Sequence, residues 1–183
     1  RLYGGTSPND TMAASMIERI EVLKGGESLF YGTQAAAGVI NVVTRDFSDD
    51  LGGQVNASLD SFAGTSLDGY LRGAIGQHRF VVWANRSQSD GYRPYDVMQP
   101  SATDRARGYD LWSAGIKYQY DIAPDLRLNA LYQHTKADLD NISATRTKES
   151  RNDRNEEVAS LRLDYTGEDG VQFFLKGYFH DWK

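Results

Sequence analysis

The sequence predicts a mainly β protein, built as a stretch of an antiparallel transmembrane β-barrel. Three observations predict it. From Gln54 onward, apolar and polar residues alternate along one segment after another. Tight turns alternate strictly with the other connections. No apolar run approaches the roughly 18–20 residues that a membrane-spanning helix needs, in a chain of 183 residues that is 40% hydrophobic. The mean hydropathy of -0.56 does not count against a barrel, because barrel strands alternate and average out as polar.

The first 45 residues differ from the rest. Thr11 to Ile17 reads as a short helix-like stretch. Glu18 to Leu23 suits a strand, with Ile20 and Val22 alternating against Arg19, Glu21 and Leu23. Lys24-Gly25-Gly26 breaks it. Ser28 to Ala36 is compatible with a short helical turn, with Ser28 as N-cap and Glu27 near the positive end of its dipole. Gly38 restarts an extended segment, Val39 to Thr44, that is rich in β-branched residues. Asp46 to Gly53 is an acidic, glycine-ended linker.

About seven strands of roughly ten residues each follow, the length a tilted strand needs to cross a bilayer. Val55, Ala57 and Leu59 share one face of the first. Leu67, Gly69, Leu71, Gly73 and Ile75 share one face of the second. Phe80 to Ala84 is apolar on both faces and sets no register. Trp112, Ala114, Ile116, Tyr118 and Tyr120 oppose polar neighbours. So do Leu126, Leu128, Ala130 and Tyr132, although Leu131 breaks that alternation. Leu161, Leu163 and Tyr165 follow, and then Val171, Phe173, Leu175 and Phe179.

Tight turns are expected at Gln77-His78, at Ala123-Pro124-Asp125 and at Gly167 to Gly170. The intervening connections are Ser61 to Ser66, Ser89 to Gly108 and Ala137 to Glu157, and the last two are long and polar. An up-and-down barrel of the outer-membrane kind places short turns on the periplasmic side and longer loops outside. A soluble sandwich has no reason to put every short turn at one end.

Net charge is -5, and the pI near 5.2 argues against nucleic acid, which wants a basic stripe. Cysteine is absent, which removes disulfides, thiolate metal sites and cysteine nucleophiles. Eleven Tyr, seven Phe and three Trp supply aromatic girdles at membrane interfaces. Arg1-Leu2-Tyr3-Gly4-Gly5 is no signal peptide and reads as the middle of a longer chain.

The run from Ile17 to Arg45, IERIEVLKGGESLFYGTQAAAGVINVVTR, closely resembles the plug-domain signature of TonB-dependent receptors. That signature is an I-E-R-I-E-V-L-R-G-P segment, an L-Y-G turn, G-G-V-I-N-I and a terminal T-K or T-R. Gly26 stands where the family has proline, and Ala37 where it has the first glycine of the pair, so the backbone at Ala37 needs no positive φ. The resemblance implies a 22-stranded antiparallel transmembrane β-barrel preceded by the end of a small α+β plug domain. On this reading residues 1–45 are the C-terminal part of the plug, 46–53 a linker and 54–183 the first barrel strands.

Arg19, Glu21, Gly25, Tyr31, Gly32, Gly38 and Asn41 carry the signature. Ile20, Val22, Val39, Ile40, Val42 and Val43 are the candidate core of the plug. The family latches its plug to the barrel with ion pairs, a role the resemblance offers to Arg19 and Glu21; a solvated strand face is the plainer account of both. Gly25, Gly32 and Gly38 fit turns better than ligand contacts. For substrate contact the candidates are Tyr3, near an outward plug loop, and Tyr92, Arg93 and Tyr95, an aromatic and basic loop patch able to stack on or pair with an anionic ligand. A girdle aromatic beside a lipopolysaccharide-facing arginine explains the same patch.

His78, His134 and His180 are candidate haem ligands, with ordinary surface placement the simpler reading. Asp138, Asp140, Asp153, Glu149, Glu156 and Glu157 fall in a predicted loop without EF-hand spacing, so a solvated loop fits better than a Ca²⁺ site. No resident cofactor or metal is expected. No P-loop, nucleophile elbow or H-E-x-x-H is present, which leaves no enzyme reading.

By resemblance, the function is energy-coupled import of a scarce nutrient across the bacterial outer membrane. The implied partners are TonB with its inner-membrane energising complex, outer-membrane lipid and lipopolysaccharide, and a small-molecule substrate. Family frequency favours a ferric siderophore, ahead of cobalamin, haem or glycans. The rival class is a passive porin or structural β-protein, which needs no plug. Seven strands leave open edges that lipid does not tolerate, so this stretch alone is expected to aggregate or fold poorly.

Overall fold

The computed structural model describes residues 14–24, 38–92, 106–142 and 149–183. A single 3-10 turn, Ala14–Met16, leads into β1 (Ile17–Lys24). Strand β1 pairs antiparallel with β2 (Gly38–Thr44), with Val22 opposite Ile40 and Glu21 opposite Asn41. The helix-like expectation for Thr11 to Ile17 thus shrinks to one turn, and Ile17 already belongs to the strand. The turn expected over Ser28 to Ala36, with its Ser28 cap, and the backbone at Ala37 lie outside the described residues.

The remaining strands form one antiparallel sheet in chain order: β3 (Gly52–Leu59), β4 (Thr65–Ile75), β5 (His78–Tyr92), β6 (Arg107–Ala123), β7 (Leu126–Ile142), β8 (Glu149–Thr166) and β9 (Gln172–Trp182). Gly76 and Gln77 make the first tight turn, with Gly76 at φ +60°. His78 is therefore not a turn residue: it opens β5 opposite Ile75. Pro124 and Asp125 make the second turn. Gly167 to Gly170 make the third, closed by a bond from the Gly170 amide to the Gly167 carbonyl (3.0 Å).

The middle strands are longer than the ten residues expected, while β3, β4 and β9 keep to 8, 11 and 11. β6, β7 and β8 run for 17, 17 and 18 residues. Most of the expected loop from Ala137 to Glu157 is ladder, with Asp138 opposite Asp153 and Leu139 opposite Asn152. Residues on that extension are polar on both faces, so alternation vanishes although backbone pairing continues.

Register sorts the side chains into two faces. On one, Leu71, Val82, Ile116, Tyr132, Ala159 and Phe179 fall in one cross-strand row, and Ile75, His78, Tyr120, Leu128, Leu163 and Leu175 in another. This face is apolar and open: Val55 is 76% and Leu175 75% exposed. The other face carries Asp68, Asn85, Ser113, Thr135 and Glu156 in one row, and Arg79, Gln119, Asn129, Arg162 and Lys176 in another. Phe80, Val82 and Ala84 fall on the apolar face, while Val81 and Trp83 interrupt the polar one. Leu131 also points to the polar face, opposite Lys117 and Ser160.

The expected core of β1 and β2 is corrected in part. Ile20, Val22 and Ile40 are 58%, 61% and 63% exposed. A two-stranded ribbon cannot bury both of its own faces, and no described residue covers this one. The core that does form joins Met16 to Val81 and Trp83, with Ile17, Phe47 and Tyr70 packed around them.

Candidate functional site

That core is where the first two strands meet the long sheet. Met16 ends the 3-10 turn and rests on Val81 and Trp83. Trp83 fits because residue 115, its partner on β6, is glycine: a Cβ there would stand 2.3 Å from the indole Cζ2. The ring lies across β6 in space that any side chain would fill.

Polar groups fasten the segment that follows β2. The Arg45 amide donates to the Met16 carbonyl (2.8 Å), and Arg45 Nε donates to the Ser15 carbonyl (2.6 Å). Its guanidinium lies 3.9 Å from the Tyr70 ring centroid, a cation–π contact. From β6, Lys117 Nζ donates to the Arg45 carbonyl (2.7 Å) and the Thr44 hydroxyl (3.2 Å). From β4, Arg72 donates to the Asp46 carbonyl (3.3 Å), and from β5, Arg79 pairs with Asp49 (2.7 Å) and with Asp121. Cations from three adjacent strands thus hold a segment that carries Asp46, Asp49 and Asp50. Half-buried cations need such acceptors, because desolvation of an unpaired charge is costly.

The residues singled out from the sequence sit elsewhere. Arg19 Nε meets Glu21 at 2.8 Å and its Nη1 meets Glu18 at 3.7 Å, and the Asn41 amide donates to Glu21 at 2.8 Å. The Asn41 bond first, and then Arg19, hold the Glu21 carboxyl below its ordinary range. These contacts stay within the β1–β2 ribbon. Those that reach the long sheet come from Met16, Ile17, Thr44, Arg45, Asp46, Phe47 and Asp49. Sequence reasoning gave none of them this role, nor did it give one to Trp83 or Lys117. The available signal was Phe80 to Ala84, since a strand apolar on both faces must be covered on both.

Gly38 opens β2. Gly25, Tyr31, Gly32, Tyr3, Arg93 and Tyr95 lie outside the described residues. Tyr92 ends β5, 56% exposed, with its ring centroid 5.5 Å from that of Phe62.

Each histidine has a neighbour of its own. His78 bonds the Tyr118 hydroxyl (2.6 Å) and stacks on Tyr120, His134 bonds Asn155 (2.7 Å), and His180 bonds Glu156 (2.8 Å). The acidic positions Asp138, Asp140, Asp153, Glu156 and Glu157 are on β7 and β8 rather than in a loop, and Glu149 opens β8. Among the described residues, no group of three or more His, Asp or Glu is arranged to hold a metal ion.

A meander of long strands, apolar on one face and polar on the other, with a small strand pair seated on the polar face, defines a barrel wall carrying the end of a plug. Residues 1–39 match the TonB-dependent Receptor Plug Domain. Over 141 residues, 75% of the chain, the sequence is 32% identical to proteins named Vitamin B12 transporter BtuB from three strains of Vibrio cholerae serotype O1. The chain spans 23% of the length of those relatives. It belongs to the TonB-dependent receptors.

Proposed function

We propose that the receptor to which this chain belongs imports cobalamin across the bacterial outer membrane, driven by TonB. The observation that carries the substrate is the 32% identity to vitamin B12 transporters over most of the chain. The sequence alone put a ferric siderophore first, on family frequency; the relatives move cobalamin ahead of it. The outer membrane holds neither ATP nor an ion gradient, so work on the substrate must arrive through a partner that spans the periplasm. TonB with its inner-membrane complex is that partner.

Residues 1–45 are taken as the end of the plug, 46–53 as the strap that connects it and 54–183 as barrel wall. The apolar face meets lipid. Tyr118, Tyr120 and Tyr165 ring it on the short-turn side, and Trp112 and Tyr132 lie towards the other, as interfacial girdles do. Lys136 lies opposite Trp112 on that face, and Glu157 and Asp181 share the neighbouring row with His134, which suits contact with lipopolysaccharide head groups. The polar face lines the lumen. Arg19, Glu21 and Asn41 brace the last plug strands against each other, and Gly25, Tyr31, Gly32 and Gly38 belong to the plug signature. Tyr3, Tyr92, Arg93 and Tyr95 are the candidate substrate contacts.

The test is binding of labelled cyanocobalamin to outer membranes containing the full-length receptor, with uptake measured in strains with and without TonB. Saturable binding, with uptake only where TonB is present, is the expected result. Uptake of equal rate without TonB would overturn the energy coupling. Saturable binding of a ferric siderophore in place of cyanocobalamin would overturn the substrate.

A further inference from the structure

The structure assigns a specific pair of side chains, Phe62 and Tyr92, to substrate capture: we propose that they form an aromatic platform that stacks on a flat aromatic group of the substrate. The choice of the dimethylbenzimidazole base of a cobalamin rests on the cobalamin reading above.

Tyr92 reaches its position through a defect in the ladder. On β5, even-numbered residues from His78 to Gln88 face the lipid side. Between Ser89 and Tyr92 the register slips: Ser89 pairs with Tyr109, yet Tyr92 pairs with Arg107, so β5 holds one extra residue. Gly91 makes the slip possible at φ +73°, where a Cβ would come 1.7 Å from the Arg107 carbonyl oxygen. Such a bulge re-aims the side chain beyond it. Tyr92 is thereby moved to the face of Arg107, which is the lumen face of Leu111 and Ser113. Without the bulge its ring would point at lipid.

Phe62 comes from the β3–β4 connection, built to hold a fixed shape. Asp60 Oδ1 accepts from the amides of Phe62 (2.7 Å) and Gly64 (2.9 Å), and the Asp60 amide donates to the Gly64 carbonyl (2.9 Å). One buried side chain then ties the two tips together. Ser89 Oγ donates to the Phe62 carbonyl (3.1 Å) and accepts from the Gly91 amide (3.0 Å), and Ser89 is only 8% exposed.

The result is two rings tilted 43° to one another, 49% and 56% exposed, on the lumen side at the end away from the tight turns. Two large aromatics held in place on a buried polar base, and left uncovered by the described residues, offer that surface to a ligand. A ring system gains both apolar burial and π contact there. Ordering cost is low, because the rings are already fixed.

The experiment uses the full-length receptor in detergent, with heat-modifiable gel mobility confirming that each variant is folded. Affinity for cyanocobalamin and for a ferric catecholate is measured for wild type, Phe62→Leu, Tyr92→Leu, the double variant, Phe62→Tyr and Tyr92→Phe. Each leucine variant is expected to weaken cyanocobalamin binding about three- to tenfold. The aromatic exchanges should stay within about twofold of wild type. Leucine keeps the apolar bulk, so a loss confined to it reports the ring. If wild type takes only the ferric catecholate and the leucine variants lose that, the cobalamin reading falls and the platform stands. Unchanged affinity in the double variant overturns the platform, and so does a wild type that binds neither probe.

Discussion

The lumen face presents two regions, one on the interior strand β5 with a second element seated on it and one on β9, the last strand of the described sheet. On β5, Val81 and Trp83 are 1% and 4% exposed; on β9, Phe174 and Tyr178 are 65% and 75% exposed. Tyr178 shares a cross-strand row with Val81, four strands away. Both places set large apolar groups into a polar wall. Met16 and Phe47 cover the first, and no described residue covers the second. Small side chains such as Ala137 and Ser113 are buried within the sheet itself, at 0% and 1% exposed, whereas the large Val81 and Trp83 are buried beneath Met16.

The sharpest test of that difference is truncation. Trp83→Ala removes a covered indole and should destabilise the full-length receptor by about 3–5 kcal/mol. Tyr178→Ala should cost under about 1 kcal/mol if water covers that ring. Denaturant-dependent loss of heat-modifiable mobility reads both. Equal costs would break the comparison, and would mean that another part of the receptor sits on β9 as Met16 sits on β5.

Gly115→Ala attacks the same seat from beneath. The added methyl meets the indole and the Tyr132 carbonyl oxygen, and overpacking of this kind costs about 1–3 kcal/mol. The double variant with Trp83→Ala should recover part of that loss in the same denaturation assay, because the clash partner is gone.

Arg45→Ala leaves the Ser15 carbonyl without its donor and uncovers Tyr70, at about 1–2 kcal/mol. Arg45→Lys keeps the charge but not the planar stack, and should fall between. Limited proteolysis between β2 and β3 is the direct readout, with faster cleavage expected in the order wild type, lysine, alanine.

The smallest effect belongs to the ribbon's exposed polar face. The folded Glu21 carboxyl is held below its ordinary value of 4.5. Its contribution is complete above the unfolded pKa and fades as pH falls through the lower, folded one. Because Glu21 is exposed, water screens the pair. Hydrogen exchange of β1 amides, corrected for intrinsic rates, should accelerate slightly on acidification in wild type and show no such step in Glu21→Gln.

The barrel strands were legible in the sequence because one face of each meets lipid and the other water, which forces a period of two. Leu67 to Ile75 and Trp112 to Tyr120 could be read directly. Legibility failed where both faces share one environment. Ala137 to Ile142 and Glu149 to Arg154 place polar residues at both parities, Asp138 and Asn141 or Asn152 and Asp153, and read as loop. Phe80 to Ala84 meets apolar matter on both sides and showed no register. The seat itself was hidden for a different reason: Lys117 touches Arg45 from 72 positions away, and nothing in the local pattern of either announces the other. The plug signature placed Arg19 and Glu21 on one strand, where they pair with each other.

The unbroken strand order from β3 to β9 has a kinetic consequence. Every pairing in the sheet is a hairpin between chain neighbours, so each strand can be added to the one before it without closing a long loop. Formation of such local ladders is fast, and the entropy of closing distant contacts is deferred. The contacts of Met16, Asp46, Asp49 and Arg45 with the sheet are of the other, long-range kind, and the bond between Lys117 and Arg45 spans the most chain among them. It cannot form until four strands of wall exist, which makes docking of the plug segment a late event, one that inspects whether β4, β5 and β6 have already assembled in register.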